Sequence, residues 1–306
     1  MDLRQLEILK AVADTGSFTG AGRRLHVSQS AVSRQILLLE AELNEPLFWR
    51  IKRKVKITPA GEAILQLAIR VFDDIKETTA LITETQEKLT GTVRLVGGMT
   101  VSLYVFPSLL REFRRLHPEV DVKVMTGSSD RLLRKLRSGA ADLGLLTLPI
   151  DEPDLITKPV MREEMMLVTY PGHPLAKKAR VEPQELVRQP FIVYEPGSNT
   201  RRVIDEFFIR EQVQPRIVME TENVEIIKAM VRSGIGITLI SQHAVEGEVR
   251  EGQLACCRVG GGHTLVRETG WVYLKANRVP RKIEEMVKTL EKTLPKSTMP
   301  LARASG

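Results

Sequence analysis

Cysteine is nearly missing from this chain: two residues in 306, and they are neighbours, Cys256 and Cys257. Adjacent cysteines rarely bridge one another, because the geometry is strained. No disulfide framework is therefore expected, and thiols buried or half-buried in a strand from Leu254 to Val259 are favoured over a redox switch. The five histidines, His26, His117, His173, His243 and His263, show no metal-ligand spacing. No metal or cofactor is expected. A nucleophile elbow, a phosphate-binding Gly-Lys loop and a clustered His/Cys/Asp set are also missing, which argues against a hydrolase or transferase. No run approaches the ~20 apolar residues of a membrane span, and the first helix is amphipathic with acidic residues rather than a signal peptide. A cytoplasmic, non-membrane protein is expected.

Positive charge is what the chain has in excess. The formal net charge is +7 and the pI near 9.4, which suits a polyanionic partner. Residues 1–60 hold ten Lys/Arg against six Asp/Glu. Five of those cations, Arg50, Lys52, Arg53, Lys54 and Lys56, fall within seven residues and alternate with Ile51, Val55 and Ile57. That alternation predicts a short hairpin lying along a phosphate backbone. A second basic cluster, including Arg281, Lys282, Lys288, Lys292 and Lys296, reads as a solvated helix face.

The segment Ser17 to Glu42 carries the sharper signal. Ser17 is a good N-cap before Phe18, Ala21 and Leu25, an apolar row at helical spacing. His26 and Val27 break the row, and Ser28 offers a second cap. Val32, Ile36, Leu39 and Leu43 then form one buried stripe, with Leu6, Leu9 and Val12 of an upstream helix closing a small core. Ser28, Gln29, Ser30, Ser33 and Arg34 fall on the opposite side, near the start of the second helix. These hydrogen-bonding side chains suit base edges and phosphates in a major groove. The blander reading, a helical hairpin with a solvated face, is weakened by the basic hairpin that follows.

The next element starts at Pro59, a residue suited to the first helical position, with Thr58 as cap. Ile64, Ala68, Val71, Ile75, Ile82 and Leu89 recur on a seven-residue rhythm. A helix of about thirty residues, roughly 45 Å at ~1.5 Å each, with so narrow a stripe needs a partner helix. After Gly91 strands and helices alternate, implying a mainly parallel sheet covered on both faces. One helix is expected from Leu103 to Leu116, and further strands at Val120 to Met125, Ala141 to Leu146, Met165 to Val168, Phe191 to Val193, Ile217 to Glu220, Gly236 to Ile240 and Gly270 to Leu274.

The phrases DLRQLEILKAVADTGSFTGA, LHVSQSAVSRQI, LEAELNEPLF and ITPAGE resemble the N-terminal domain of LysR-type transcriptional regulators over about the first 65 residues. Gly20, Gly22 and Asn44 depart from the family pattern. Each helical glycine costs roughly 1 kcal/mol against alanine, which predicts a weakened helix before the turn, whereas Asn44 suits a left-handed turn. The resemblance implies an α/β chain with an all-α N-terminal part. Its domains would be a winged helix-turn-helix over 1–58, a linker and dimerisation helix over 59–90, and a two-lobed, periplasmic-binding-protein-like effector domain over 91–306. Lobe I would span about 91–162 and 268–296, and lobe II about 163–267. The implied partners are double-stranded promoter DNA, a small-molecule effector, a second copy in a homodimer or homotetramer, and RNA polymerase.

Ligands of open α/β sheets bind where strands end and helices begin. Candidate effector contacts are therefore Thr100 and Ser102 after the first strand, Thr147 at the end of another, Ser198, Asn199 and Thr200 entering a helix, and Asn223 before the next. Each alone reads better as an ordinary cap; together they converge on one cleft, which favours Thr100 and Ser198 to Thr200 as contacts. Thr100 matches a position at which family members contact effector. Tyr194-Glu-Pro-Gly-Ser-Asn-Thr-Arg201 is similar to a phrase in the branch controlling carbon fixation and sulfur assimilation, and suggests a small organic acid or phosphorylated metabolite. The alternative function is a sequence-indifferent architectural DNA-binding protein.

Overall fold

A computed structural model describes residues 1–51, 54–82, 89–260, 264–275 and 279–293. The chain divides into two compact units, residues 1–88 with 138–140, and residues 89–137 with 141–306.

The first unit opens with three helices, α1 (Leu3–Thr15), α2 (Phe18–Leu25) and α3 (Gln29–Leu43). Each starts on a side chain that satisfies an orphan backbone N–H. Asp2 closes a capping box with Gln5, Ser17 accepts from the Gly20 N–H at 3.2 Å, and Ser28 accepts from the Ala31 N–H at 3.1 Å. Each ends on a left-handed residue: Gly16, His26 and Asn44. Leu9, Val12, Ala21, Val32, Ile36 and Leu39 are fully buried in the shared core. A hairpin follows, β1 (Phe48–Ile51) antiparallel to β2 (Lys54–Ile57), with Phe48 opposite Ile57. Glu40 Oε1 accepts the Leu47 and Phe48 N–H groups at 2.7 and 3.2 Å, fixing the hairpin's root to α3. Helix α4 (Pro59–Ile82) begins where Thr58 Oγ1 accepts the Gly61 N–H at 2.9 Å. Its 24 described residues span about 36 Å at ~1.5 Å per residue. Ala68 is buried, whereas Ile75, on the same stripe, is 44% exposed.

The helical glycines of this unit need a different account from the one propensity gives. A Cβ on Gly22 would lie 2.7 Å from the Val27 carbonyl oxygen, so alanine does not fit there without moving backbone. Gly61 is tighter still, its Cβ falling 2.2 Å from the Leu47 carbonyl oxygen and 2.7 Å from Ile57 Cγ1. Overpacking of this kind typically costs about 1–3 kcal/mol or more, above the ~1 kcal/mol that alanine returns in helix propensity. Gly61→Ala is therefore expected to lower the melting temperature of the first unit and to loosen the hairpin root. Thermal unfolding followed by circular dichroism checks this, and an unchanged or raised midpoint contradicts it.

The second unit is an α/β body of two lobes joined by two long strands. Strand β3 (Gly91–Gly97) leads to α5 (Met99–Tyr104), α6 (Phe106–Leu116), β4 (Val120–Thr126), α7 (Ser129–Arg137) and β5 (Leu143–Thr147). β4, β3 and β5 are parallel neighbours. The single helix expected over Leu103 to Leu116 is two helices: the first turn after Gly98 is already helical, and the chain breaks at Val105, two residues before Pro107, which lacks an N–H and restricts its predecessor. Both faces of this sheet are covered. Val93, Leu95, Leu143, Leu145 and Trp271 face α6 and the last helix, while Val96, Leu146 and Val272 face α7.

β6 (Leu155–Thr169) runs out of this lobe into the next. There it is followed by β7 (Arg180–Val181), β8 (Pro190–Val193), α8 (Asn199–Arg210), β9 (Arg216–Glu220), α9 (Val224–Arg232), β10 (Thr238–Ser241), α10 (Glu246–Arg250) and β11 (Ala255–Val259). β12 (Val266–Leu274) returns to the first lobe, where α11 (Arg281–Thr293) packs on α6. β12 is antiparallel to both β5 and β6, and Arg162 and Glu268 are direct register partners. β12 accompanies β6 as far as Glu164, and β10 continues from Met165. The expected mainly parallel sheet is thus a mixed one: parallel pairs lie within each lobe, and the strands that join the lobes pair antiparallel.

Candidate functional site

In the first unit the α3 stripe is buried and its opposite side is open. Ser28, Gln29, Ser30 and Arg34 are exposed and Ser33 is partly so. Ser28 Oγ lies 2.9 Å from Ser30 Oγ, so the N-terminal turn of α3 presents a compact set of hydroxyl, amide and guanidinium groups. Val32 and Ile36 hold that face outward by packing inward. Arg50 and Lys54 belong to β1 and β2. Lys52 and Arg53 lie outside the described residues.

In the second unit four of the five hydroxyl groups singled out from sequence meet between the lobes. Thr100, Thr147, Ser198 and Thr200 line one small cavity of about 40 Å³, with Ser128, Ser129 and Tyr194 beside them. Thr147 Oγ1 lies 3.2 Å from Thr200 Oγ1, and Thr100 Oγ1 lies 3.4 Å from Tyr194 Oη. Asn199 does not line the cavity. It bridges the lobes, donating from Nδ2 to the Thr147 carbonyl at 2.7 Å and from its backbone N–H to Ser129 Oγ at 3.1 Å. Ser102 sits outside, its hydroxyl 3.4 Å from the Gly97 carbonyl. Asn223 is an ordinary cap, accepting from the Glu225 N–H at 2.9 Å. Ser198 differs: it occupies the N-cap of α8 but makes no side-chain cap bond.

Three buried charged residues, one of them in this wall and two near it, escape sequence reasoning. Arg267 of β12 lines the cavity and is fully buried. Its Nη2 donates to Glu163 Oε2 of β6 at 2.6 Å, and Glu163 Oε1 accepts from Ser241 Oγ at 2.6 Å. Burial alone would raise the Glu163 pKa, but the charge of Arg267 and the hydrogen bonds from Ser241 and Arg267 outweigh it and hold the carboxyl below its ordinary value. Lys228 of α9, also buried, donates to Tyr104 Oη of the first lobe at 2.6 Å and to the Ala244 carbonyl at 2.9 Å, and pairs with Glu225 and Glu248. Burial and the Glu225 hydrogen bond push Tyr104 up to about 12. A larger cavity of about 210 Å³ adjoins the first, sharing Thr100, Val101 and Arg267 and adding Tyr104, Glu163 and His243.

The cysteines lie elsewhere. Cys257 is buried in β11 and its thiol is pushed up to about 11, chiefly by burial, and Cys256 is raised for the same reason. Among the described residues no group of three His, Cys, Asp or Glu is placed to hold a metal ion, and no helix is long and apolar enough to cross a membrane.

A helix-turn-helix with an antiparallel hairpin, joined to a two-lobed α/β unit with a polar cleft, defines a DNA-binding regulator with a ligand-sensing domain. Residues 3–62 match the bacterial regulatory helix-turn-helix protein, lysR family, and residues 86–295 match the LysR substrate binding domain. The chain belongs to the LysR family of transcriptional regulators, and it is not an enzyme. It is 34% identical over 261 residues to the HTH-type transcriptional regulator CfxR of Cupriavidus necator, covering 85% of this chain and 82% of CfxR. It is 31% identical over 288 residues to the RuBisCO operon transcriptional regulator of Acidithiobacillus ferrooxidans, covering 94% and 93%. Among solved structures, a full-length OxyR variant from Pseudomonas aeruginosa superposes with a TM-score of 0.77 at 25% identity, over 100% of this chain and 99% of that one.

Proposed function

We propose that this regulator acts in the cytoplasm as a dimer or tetramer, joined through a helix spanning 59–90, and reads a promoter site whose occupancy is set by a small anionic metabolite. Ser28, Gln29, Ser30, Ser33 and Arg34 enter the major groove, while Arg50, Lys52, Arg53 and Lys54 neutralise phosphates. Thr100, Thr147, Ser198 and Thr200 receive the effector between lobes I and II. The observation that carries this reading is the convergence of those four hydroxyls, drawn from both lobes, on one cavity. Ser198, free of capping duty, supports a ligand role over the capping role that Asn223 fills.

The cavity has room for one compact polar group. The cross-lobe bonds Thr147–Thr200 and Asn199–Thr147 span the same gap. An effector that replaces them changes how the lobes meet, and it can shift the protein only through unequal affinity for the two arrangements. The recognition helices of a dimer then change spacing, and with them DNA bending and contact with RNA polymerase. The names of the relatives support a metabolite of carbon assimilation.

A thermal-shift screen of organic acids and phosphorylated metabolites tests the cleft. A ligand at 100 times its Kd adds about 2.7 kcal/mol to the folded state, and Thr100→Val or Ser198→Ala should remove the gain. A hit that both variants retain refutes the site. On DNA, Arg34→Ala is expected to weaken binding to the target site by about 1–3 kcal/mol while leaving random DNA unaffected. Footprinting decides the alternative: a discrete protected site marks a regulator, whereas protection of the whole fragment marks an architectural protein.

A further inference from the structure

The buried guanidinium of Arg267 is underused. Nη2 has a strong partner in Glu163, Nη1 reaches Thr200 Oγ1 only at 3.4 Å, and Nε has none among the described residues. Buried polar groups are nearly always hydrogen-bonded, so an orphaned nitrogen on a fully buried arginine calls for an explanation. Arg267 forms part of the wall of both the 40 Å³ and the 210 Å³ cavities. A ligand atom that accepts from it supplies the missing partner.

Its charge, however, is already balanced. Glu163 sits behind it at 2.6 Å, anchored by Ser241, and the pair is neutral as a unit. Among the described residues lining the smaller cavity, Arg267 is the one cation and Glu222 the one anion. A singly charged ligand group meets Arg267 and the hydroxyls of Thr100 and Ser198 and leaves one charge to be solvated by them. A doubly charged group gains twice the attraction to Arg267 but also twice the repulsion from Glu163 and Glu222. Its desolvation penalty, growing as the square of the charge, is about four times larger. The balance therefore turns against the second charge.

We propose that Arg267 is the charge-reading residue of the cleft and that Glu163 sets the charge it reads, so that the site takes a monoanionic group, such as a carboxylate or sulfonate, in preference to a dianion of the same size. This rests on the cleft being the effector site, and it selects the organic acid over the phosphate monoester as effector class.

The experiment compares methanesulfonate, a monoanion, with sulfate, a dianion of similar shape, by titration calorimetry on the full chain at constant ionic strength. Wild type is expected to bind methanesulfonate at least tenfold tighter than sulfate. Glu163→Gln should move that ratio at least tenfold toward sulfate, because the charge behind Arg267 is gone. The double variant Glu163→Gln with Arg267→Gln replaces the pair by neutral hydrogen-bonding groups, keeps the fold available should the single variant unfold, and should lose both anions. Thr100→Val serves as the reporter of the cleft itself. Equal or tighter sulfate binding by wild type overturns the charge rule. A double variant that binds methanesulfonate like wild type, while Thr100→Val weakens it, overturns the role of Arg267 and leaves the cleft reading standing. If neither anion binds wild type, or if neither the double variant nor Thr100→Val alters binding, both fall together.

Discussion

Glu163→Ala should destabilise the second unit by about 3–5 kcal/mol, the range for removing one partner of a buried ion pair. The side chains of Glu163 and Arg267 are 4% and 2% exposed, and the variant strands a guanidinium with no counter-ion between the crossing strands. Both residues border the 210 Å³ cavity. Water admitted there would solvate the stranded charge, which favours the low end of the range. The doubly neutral variant should lie much closer to wild type, since the desolvation of two charges offsets most of their attraction. Urea denaturation of the single and double variants separates these cases, and equal losses in both would show that packing rather than charge is at stake. The pair also has a pH signature. The Glu163 carboxyl is held below its ordinary value of 4.5 by Arg267 and Ser241, with His243 adding in the same direction. A depressed folded-state pKa contributes stability that is fully present above the unfolded value and is lost as the pH falls through the folded one. Wild type should therefore lose stability more steeply below about pH 4.5 than the doubly neutral variant.

The physics that makes this pair informative also hid it from sequence. Glu163 sits in Arg162-Glu163-Glu164 and Arg267 in Arg267-Glu268, runs that resemble solvated charge. Nothing local says that alternate residues of β6 and β12 turn into a cavity, because that depends on two strands about a hundred residues apart in sequence lying side by side. The helix-turn-helix was legible for the opposite reason. Its caps at Ser17 and Ser28, its left-handed Asn44 and its stripe from Val32 to Leu39 are all set by residues within four positions of one another. The break at Val105 fell between these cases: the apolar spacing runs through Phe106 unbroken, and only Pro107 marked it. Ser198 and Asn223 read alike in sequence, both as polar residues opening a helix. They part only when hydrogen bonds are assigned, Asn223 to a cap and Ser198 to none. Helix propensity, a local quantity, misjudges Gly22, whose constraint is the carbonyl of Val27 across the turn.

DNA binding should fall about 10⁴-fold when monovalent salt rises fourfold, from roughly 50 to 200 mM. On the proposed reading the hairpin segment supplies Arg50, Lys52, Arg53 and Lys54 per chain, which predicts about eight phosphate contacts in a dimer and a slope of log K against log salt near −7 at ~0.9 per phosphate. Replacing Lys52 and Arg53 by alanine removes about four of those contacts, so the slope should flatten to near −4 and the same salt step should cost only about two orders of magnitude. Both substitutions fall between β1 and β2 in sequence, outside the apolar stripes that build the three-helix core, so the melting temperature should hold. The ratio of target to random DNA should hold as well, because phosphate contacts position the protein without reading sequence. Arg34→Ala should do the reverse, lowering that ratio with little change in slope. Measuring the slope on both DNAs for both variants tells the two surfaces apart. An unchanged slope without Lys52 and Arg53 would assign the phosphate contacts to other cations of the chain and overturn the part given to these two residues.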